Sequence, residues 1–409
     1  MLQLVVELLI ELGARARKKV FVISSDSRVE APNVADYLDE VIRSIDFFAR
    51  RNKLPLETSL VRPAVDQTFW GKLIGLGYPP PTRWFRWCTS NMKIKPSRAR
   101  IAEITSKHGS VILLLGTRLD ESSDRKKRMV NRTRNFRGLN PHHDIPNAYV
   151  LTPIADWATE EVWEYLYENN PPPWERPHDT MLSLYRQAGG GECPVVMDLN
   201  TPSCGGSRFG CWTCTVVKLD KSMEGFLESG LEWMQPLNKF RNWLKIIRED
   251  KSKREQVRRN GENGPGPFTP AAREEILTEL FEREKDMNER LTELGMPPRT
   301  LIEDDDIRYI QGLWSREFDR SKRAITLAAG YGRFIQGELV VPLRNEDSNL
   351  ISDVAERNEI NEETVLELLS LEDEFPDLNA WGAKPLFAER VRRIIEDWAE
   401  KAETADPAQ

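Results

Sequence analysis

Apolar positions change period several times along the first half of the chain, and each change marks an element. Leu2 to Leu12 is apolar almost all round, despite Glu7 and Glu11, and predicts a buried helix that Gly13 ends. Lys19 to Ser25 is a short β-branched run, the pattern of a buried parallel strand, with Asp26 at its carboxyl end. Val34, Leu38, Val41 and Ile42 then share one helical face, and Leu56 to Val61 is a second extended segment. Ser110 to Thr117 is the clearest strand pattern of all. Tyr149 to Leu151 predicts a short strand, followed by a helix with Thr159 as N-cap and Val162, Tyr165 and Leu166 on one side. Helix alternating with strand predicts a parallel α/β sheet, whose ligands bind outside the carboxyl ends of the strands. The chain opens on a helix, without the strand that ought to precede it.

Beyond Lys218 the pattern is helical and strongly charged through about Arg259, where the loop NGENGPGPF breaks it. Helices are predicted again over 270–292 and 304–320, and Asn349 to Ala402 is helical, acidic and free of chemical motifs. Four regions follow: an α/β domain (1–185), a cysteine-rich region (186–225), a helical region (226–330) and a helical C-terminal appendage (331–409).

No apolar run reaches membrane-spanning length, and the opening helix has neither a basic flank nor a cleavage site, so no membrane contact is expected. Five cysteines in a metal-like pattern fit a reducing cytoplasm, the expected location. The net charge of −7 gives no global attraction to nucleic acid, so any such contact has to come from local basic patches. Two patches qualify. Residues 83–100, RWFRWCTSNMKIKPSRAR, interleave six basic residues with Trp84, Phe85 and Trp87 around Cys88, which suits phosphate and base contacts. The plainer alternative is an amphipathic helix with solvated charges. Residues 118–137 carry eight Lys or Arg against three acidic residues beside a strand end, with Arg118 and Arg125 as forked phosphate donors. A flexible charged loop is the equal alternative there. His108, His142, His143 and His178 stand on loops without metal-ligand spacing and read as surface or structural residues.

Gly189 to Asp220 holds four of the five cysteines: Cys193, Cys204, Cys211 and Cys214, the last two spaced C-x-x-C. Such a pair can reach one metal centre from a single turn while the others close the cage. A [4Fe-4S] cluster is the first reading, structural zinc the second, and buried thiols or a redox pair the third. Spacing alone does not choose between iron–sulfur and zinc.

The stretches KVFVISSDSRVEAP, RWCTSNMKIKP, LLGTRLDESSDR and TPIADWATEEVWEYL resemble the PAPS-reductase-like branch of the PP-loop ATP pyrophosphatases. TFWGKLIGLGYPPP and the long cysteine segment resemble, more narrowly, the DndC family, the sulfur-handling components of bacterial DNA phosphorothioation. The resemblance implies an adenine nucleotide alpha hydrolase-like α/β fold. It implies that ATP adenylylates an oxygen of the DNA backbone, and that sulfur delivered by a cysteine desulfurase displaces the adenylate. DNA, the desulfurase and other phosphorothioation proteins of the same system are the implied partners. Cys88 and Asp26 are the implied catalytic residues. Arg118, Arg125 and Lys93 are the phosphate-binding candidates, and Cys193, Cys204, Cys211 and Cys214 the cluster ligands. Cys88 is either a persulfide-bearing thiol or an additional ligand. The family's phosphate loop, S-G-G-K-D-S, does not occur in this sequence, so an α/β domain truncated at its N-terminus, with an incomplete ATP site, is expected. Two other functions stay open: a reductase acting on PAPS or adenylyl sulfate, although no cysteine follows Cys214, and a non-catalytic iron–sulfur module that docks partners onto DNA.

Overall fold

A computed structural model of the chain describes residues 1–121, 127, 129, 139–142, 144–188, 209–258, 262–319, 321–339, scattered positions between 352 and 371, and 383–404. Cys193, Cys204, Arg125 and His143 lie outside them. Helix α1 (Leu2–Leu12) ends at Gly13, whose φ of +49° suits glycine. The expectation of burial all round fails on one side: Val6 and Leu9 are buried, but Leu8 and Ile10 face solvent. Strand β1 (Val20–Ser25) pairs in parallel with β2 (Leu56–Val61), Val20 opposite Leu56. Helix α2 (Pro32–Arg51) crosses between them, with Pro32 at its first turn and Ile45 and Ala49 buried. Val6, Ile45 and Trp174 form the core beneath, closed by Val41, Phe48 and Leu56.

The basic stretch around Cys88 is not one amphipathic helix. Residues Thr82 to Arg86 form an exposed loop, a π turn runs over Thr89–Ile94, and α3 (Lys95–His108) continues from it. The predicted strand at 110–117 shortens to β3 (Val111–Leu114). It pairs in parallel with β5 (Ala148–Leu151), which also takes β4 (Asn140–Pro141) antiparallel. The sheet therefore comes in two pieces, β1–β2 and β3–β5–β4, and α3 touches both. Among the described residues nothing pairs with the second edge of β1 or of β3. Ile112 and Leu114, expected in a buried strand, are 54% and 41% exposed because that face is left uncovered by the described residues. Met1 lies at the carboxyl end of β3, its Cβ 3.4 Å from where a Cβ on Gly116 would stand.

Helix α4 (Thr159–Glu168) starts one residue earlier than predicted. Ala158 is the N-cap, and its N–H donates to the Glu161 carboxylate at 2.6 Å. Helix α5 (Asp179–Ala188) leads into the cysteine-rich segment and α6 (Lys221–Glu228) leaves it. Helix α7 (Gln235–Glu249) is shorter than the predicted run to Arg259. Asp250 ends it by accepting the Ser252 N–H at 2.9 Å, a local turn that competes with helix. Residues 254–258 and 262–268 then form a small antiparallel arm bridged at Arg254 and Phe268 and at Val257 and Asn263. Helix α8 (Pro270–Glu293) packs on α7, and α9 (Asp304–Glu317), α10 (Arg323–Gly330) and α11 (Ala383–Thr404) follow. Residues 1–311 and 323–337 make one compact unit, and 312–322 with 338–409 a second. No helix among the described residues is long and apolar enough to cross a membrane.

Candidate functional site

The carboxyl end of β1 is where the chemistry-bearing residues gather, as the strand pattern predicts for an α/β sheet. Ser27 is fully buried there. Its hydroxyl donates to Glu30 Oε1 at 2.8 Å and lies 3.4 Å from Cys211 Sγ. Glu30 and Cys211 form an isolated antiparallel bridge, and the Trp212 N–H donates to the Val29 carbonyl at 2.9 Å. The C-x-x-C turn is thereby laid along the segment that leaves β1. It closes on itself through the Cys214 N–H and the Cys211 carbonyl, 3.0 Å apart.

Cys88 approaches the same place from the start of the π turn that leads into α3. One turn later Lys93 sets its ammonium 3.2 Å from Glu30 Oε1. The protonation of Cys88, Cys211 and Lys93 is set by burial and by their charged neighbours. Burial pushes the Cys211 thiol up to about 12, aided by Glu30 and opposed by Lys93 and Ser27. Burial also raises the Cys88 thiol, the Thr89 hydroxyl opposes this, and neighbouring Cys214 adds to it. Burial pulls the Lys93 ammonium down, but Cys211, Glu30 and Cys88 together hold it above the ordinary lysine value. Three thiols thus converge, two from one turn and one from a segment more than a hundred residues earlier, with one lysine to balance thiolate charge.

Two arginines of α7 fix that turn from below. Arg241, 1% exposed, donates from Nε to the Cys214 carbonyl at 2.8 Å and from its Nη atoms to the Val217 and Lys218 carbonyls. Arg248 Nη1 donates to the carbonyls of Thr215 and Pro81, each at 3.0 Å, and Thr215 Oγ1 reaches Pro81 at 2.7 Å. The turn is therefore tied to the proline run that precedes Cys88. Behind it, Trp212 packs on Trp70 and Phe240, with Phe69 stacked on Trp87. This places the TFWGKLIGLGYPPP stretch in the core. A Cβ on Gly71 would stand 2.7 Å from the Val65 carbonyl.

Beside the thiols lies a cleft of about 270 Å³ lined by Asp26, Arg28, Glu30, Arg62, Trp212 and Arg299. Asp26 is an ion-paired carboxylate here, with Oδ1 accepting the Arg28 N–H and Oδ2 accepting Arg62 Nε, both at 2.8 Å. Arg28 adopts φ +61°, a costly conformation for a non-glycine residue that the Asp26 bond supports. Glu30 belongs to both cleft and thiol site and joins them.

The other predicted residues fall elsewhere or beyond description. Arg118, after β3, donates to the Trp157 carbonyl at 3.2 Å and to Thr159 Oγ1 at 3.1 Å, so its fork is engaged with the protein's own α4. His178 is structural: buried, 2.8 Å from Gln3 Oε1, with its pKa lowered by burial. Ser27, Glu30, Trp212, Arg241, Arg248 and Arg299 were not singled out by sequence. Ser27 and Glu30 had a usable signal, their position just past a strand's carboxyl end, whereas the arginines had none.

Among the described residues no three His, Cys, Asp or Glu side chains surround a common metal position. The donor chemistry nevertheless suits a thiolate-held group. Cys88, Cys211 and Cys214 are free thiols, and Thr213, fully buried inside the C-x-x-C turn, has a hydroxyl with no hydrogen-bond partner among the described residues.

A family model described as "Phosphoadenosine phosphosulfate reductase domain" matches residues 5–217, just over half of the chain. Over 104 residues the chain is 32% identical to an uncharacterized protein, MJ0973, of Methanocaldococcus jannaschii. The aligned stretch covers 25% of this chain and 22% of that relative, so the match spans about a fifth of the relative's length. No solved structure matches the chain.

Proposed function

The chain belongs to the phosphoadenosine phosphosulfate reductase domain family, whose members act on adenine nucleotides, and from that premise we propose that it works in sulfur modification of the DNA backbone. In this reading ATP activates a backbone phosphate oxygen as its adenylate, releasing pyrophosphate. The terminal sulfur of a persulfide supplied by a cysteine desulfurase displaces AMP, and a thiol reductant cleaves the resulting S–S bond, leaving the phosphorothioate and taking the carrier sulfur as a disulfide. The observation that supports it is the meeting of Cys88, Lys93, Glu30 and the Cys211–Cys214 turn beside an arginine-lined cleft at a strand's carboxyl end.

Cys88 is the proposed sulfur carrier or an additional ligand, and Lys93 the cation that balances thiolate or phosphate charge. Arg28, Arg62 and Arg299 are the guanidinium groups that line the cleft, Arg62 paired with Asp26 and Arg299 with Asp36; Arg118, and by sequence Arg125, remain the other candidates. Cys211 and Cys214, with Cys193 and Cys204, would hold a [4Fe-4S] cluster, which when bound supplies an electron-rich sulfide site for holding or tuning sulfur. The buried Thr213 hydroxyl, without a partner among the described residues, would then have an acceptor nearby.

A second reading is a cluster-bearing module that docks partners onto DNA without its own ATP chemistry. ATP–pyrophosphate exchange separates the two, since only the first requires it. The test of the cluster is iron and acid-labile sulfide per chain in anaerobically purified protein, with each of the five cysteines changed to Ser. Four irons per chain, lost when Cys211 or Cys214 is changed, are expected. Zinc, or no metal, overturns the cluster. Co-expression with the partner proteins, followed by mass spectrometry of nuclease-digested DNA, tests the substrate, and DNA without phosphorothioate overturns it.

A further inference from the structure

A second cleft, of about 590 Å³, opens beside the Cys88 segment between Tyr78, Phe85, Arg254, Arg258 and Pro265–Pro267. Among the described residues no carboxylate lines it. Its walls are aromatic rings, prolines and the stems of two arginines. The neighbouring loop presents more of the same chemistry. The Thr82 N–H donates to the Phe85 carbonyl at 3.2 Å, and the Phe85 N–H to Thr82 Oγ1 at 3.0 Å. This small closed turn holds Trp84 out at its apex, 91% exposed, with the Arg83 guanidinium 5.8 Å from its ring. Burial does not explain a tryptophan held out by an ordered turn, and an exposed indole forfeits its large apolar contribution. Phe85, 45% exposed, sits 6.2 Å from Tyr78, whose ring also faces Lys72 Nζ at 5.8 Å.

The cations are arranged for exchange. Arg83 and Arg86 are exposed. Arg258 pairs with Glu262 at 3.1 Å, both more than half exposed, and such a surface pair is worth little and gives way readily to a phosphate. Arg254 is fixed instead, its guanidinium donating to the Gly266 carbonyl and lying 5.2 Å from Phe268, so it shapes the wall. The chain carries a net charge of −7, so this local concentration of arginines runs against its overall balance. Flat aromatic faces beside exchangeable cations are what an unstacked base with its flanking phosphates requires.

We propose that this cleft and the Trp84 turn take an unstacked nucleobase of a single DNA strand, with Trp84 and Phe85 as stacking faces and Arg83, Arg86 and Arg258 on the adjoining phosphates. The inference rests on the reading of DNA as substrate and adds where a base goes. The Trp87 indole N–H donates to the Pro79 carbonyl at 2.9 Å, so the cleft wall and the residue before Cys88 are rigidly joined. A strand held here would run beside that thiol.

The test uses the full chain with three DNAs: a short single strand carrying 2-aminopurine, the same strand with an abasic site in its place, and a duplex. Trp84→Ala and Phe85→Ala alter exposed residues and should leave the thermal midpoint unchanged. Binding of the 2-aminopurine strand should quench its emission, and each variant should weaken that binding roughly tenfold and abolish the quench. The abasic strand should bind more weakly and respond to neither variant. If both variants bind the 2-aminopurine strand as the unaltered protein does, the cleft assignment is overturned, and retained duplex binding would leave DNA standing as substrate. If no DNA binds at all, both fall together.

Discussion

The guanidinium of Arg241, on α7, donates from Nε to the carbonyl of Cys214 at 2.8 Å. It serves three successive stretches of the cysteine turn at once and is almost completely buried. Arg241→Met would strip three carbonyl contacts at once: those of Cys214 and Val217 lose the buried fork, and that of Lys218 keeps Lys245 Nζ at 2.9 Å. A cost of about 3 kcal/mol is expected, seen as a lower urea midpoint. Arg241→Lys keeps the charge but loses the fork, so it should recover only part of the loss. A methionine variant as stable as the parent would show that the clamp holds nothing.

The thiol site makes a prediction of opposite signs for two neighbours. Glu30 raises the Cys211 thiol and Lys93 lowers it. In reduced, metal-free protein Glu30→Gln should speed alkylation of Cys211 at mildly alkaline pH, because the thiolate is the reacting form. Lys93→Met should slow it. Mass-resolved rates at Cys211 decide the matter, and a change of the same sign in both variants would mean that access, not charge, sets the rate.

Asp306 carries the pH dependence. Its carboxylate is 1% exposed, accepts from Thr68 Oγ1 at 2.5 Å and lies 3.8 Å from Arg28. Burial raises its pKa to about 6, against Thr68 and Arg28, which favour the charge. The folded chain therefore binds the proton more tightly than the unfolded chain. The stability this gives is fully present below the unfolded value near 4 and is lost as pH rises through about 6. Between pH 5 and 7.5 the loss from this one group should be about 1 kcal/mol. Asp306→Asn should remove that slope, and paired urea titrations at the two pH values measure the difference. An unchanged slope would mean that Asp306 is ionised throughout.

What sequence could reveal about this site follows the range of each interaction. Strand β2 lies where the extended pattern puts it, and β1 begins one residue later than the run suggests, because β-branched runs declare themselves locally. The pattern could not show that β3 is half-exposed, since cover depends on what lies against it. The approach of Cys88 to the C-x-x-C turn was invisible for the same reason, being a contact between distant segments. Arg241 and Arg248 are two turns apart in what reads as a solvated helix face. A clamping arginine looks no different from a solvated one until the carbonyls of a remote loop arrive. The turn at Asp250 was legible, as an acidic residue two before a serine, and the charged helical pattern around it concealed it.

Gly225 sets how the ends of the cysteine-rich segment meet. It lies in α6, where alanine would ordinarily improve a helix by about 1 kcal/mol. Here a Cβ would fall 2.1 Å from the Gln187 carbonyl oxygen at the end of α5. That contact brings the last residues before the segment against the helix that follows it. Phe209 adds a second tie, its ring 4.6 Å from Tyr185 of α5 and 6.3 Å from Phe226 of α6. The neighbour is backbone, so it has no rotamer through which to yield, and Gly225→Ala should cost about 3 kcal/mol despite the better helix former. Gly230→Ala is the comparison. Among the described residues nothing lies within 4 Å of its Cβ position, which leaves its φ of +91° as the obstacle, so a cost of about 1 kcal/mol is expected. Thermal unfolding of the two variants side by side checks the order. The Gly225 variant should also label faster at Cys211, because parting α5 from α6 loosens the frame on which the turn is carried, whereas the Gly230 variant should label as the parent does. Equal costs at the two positions would show that the α5–α6 contact gives way freely and does not set the geometry of the thiols.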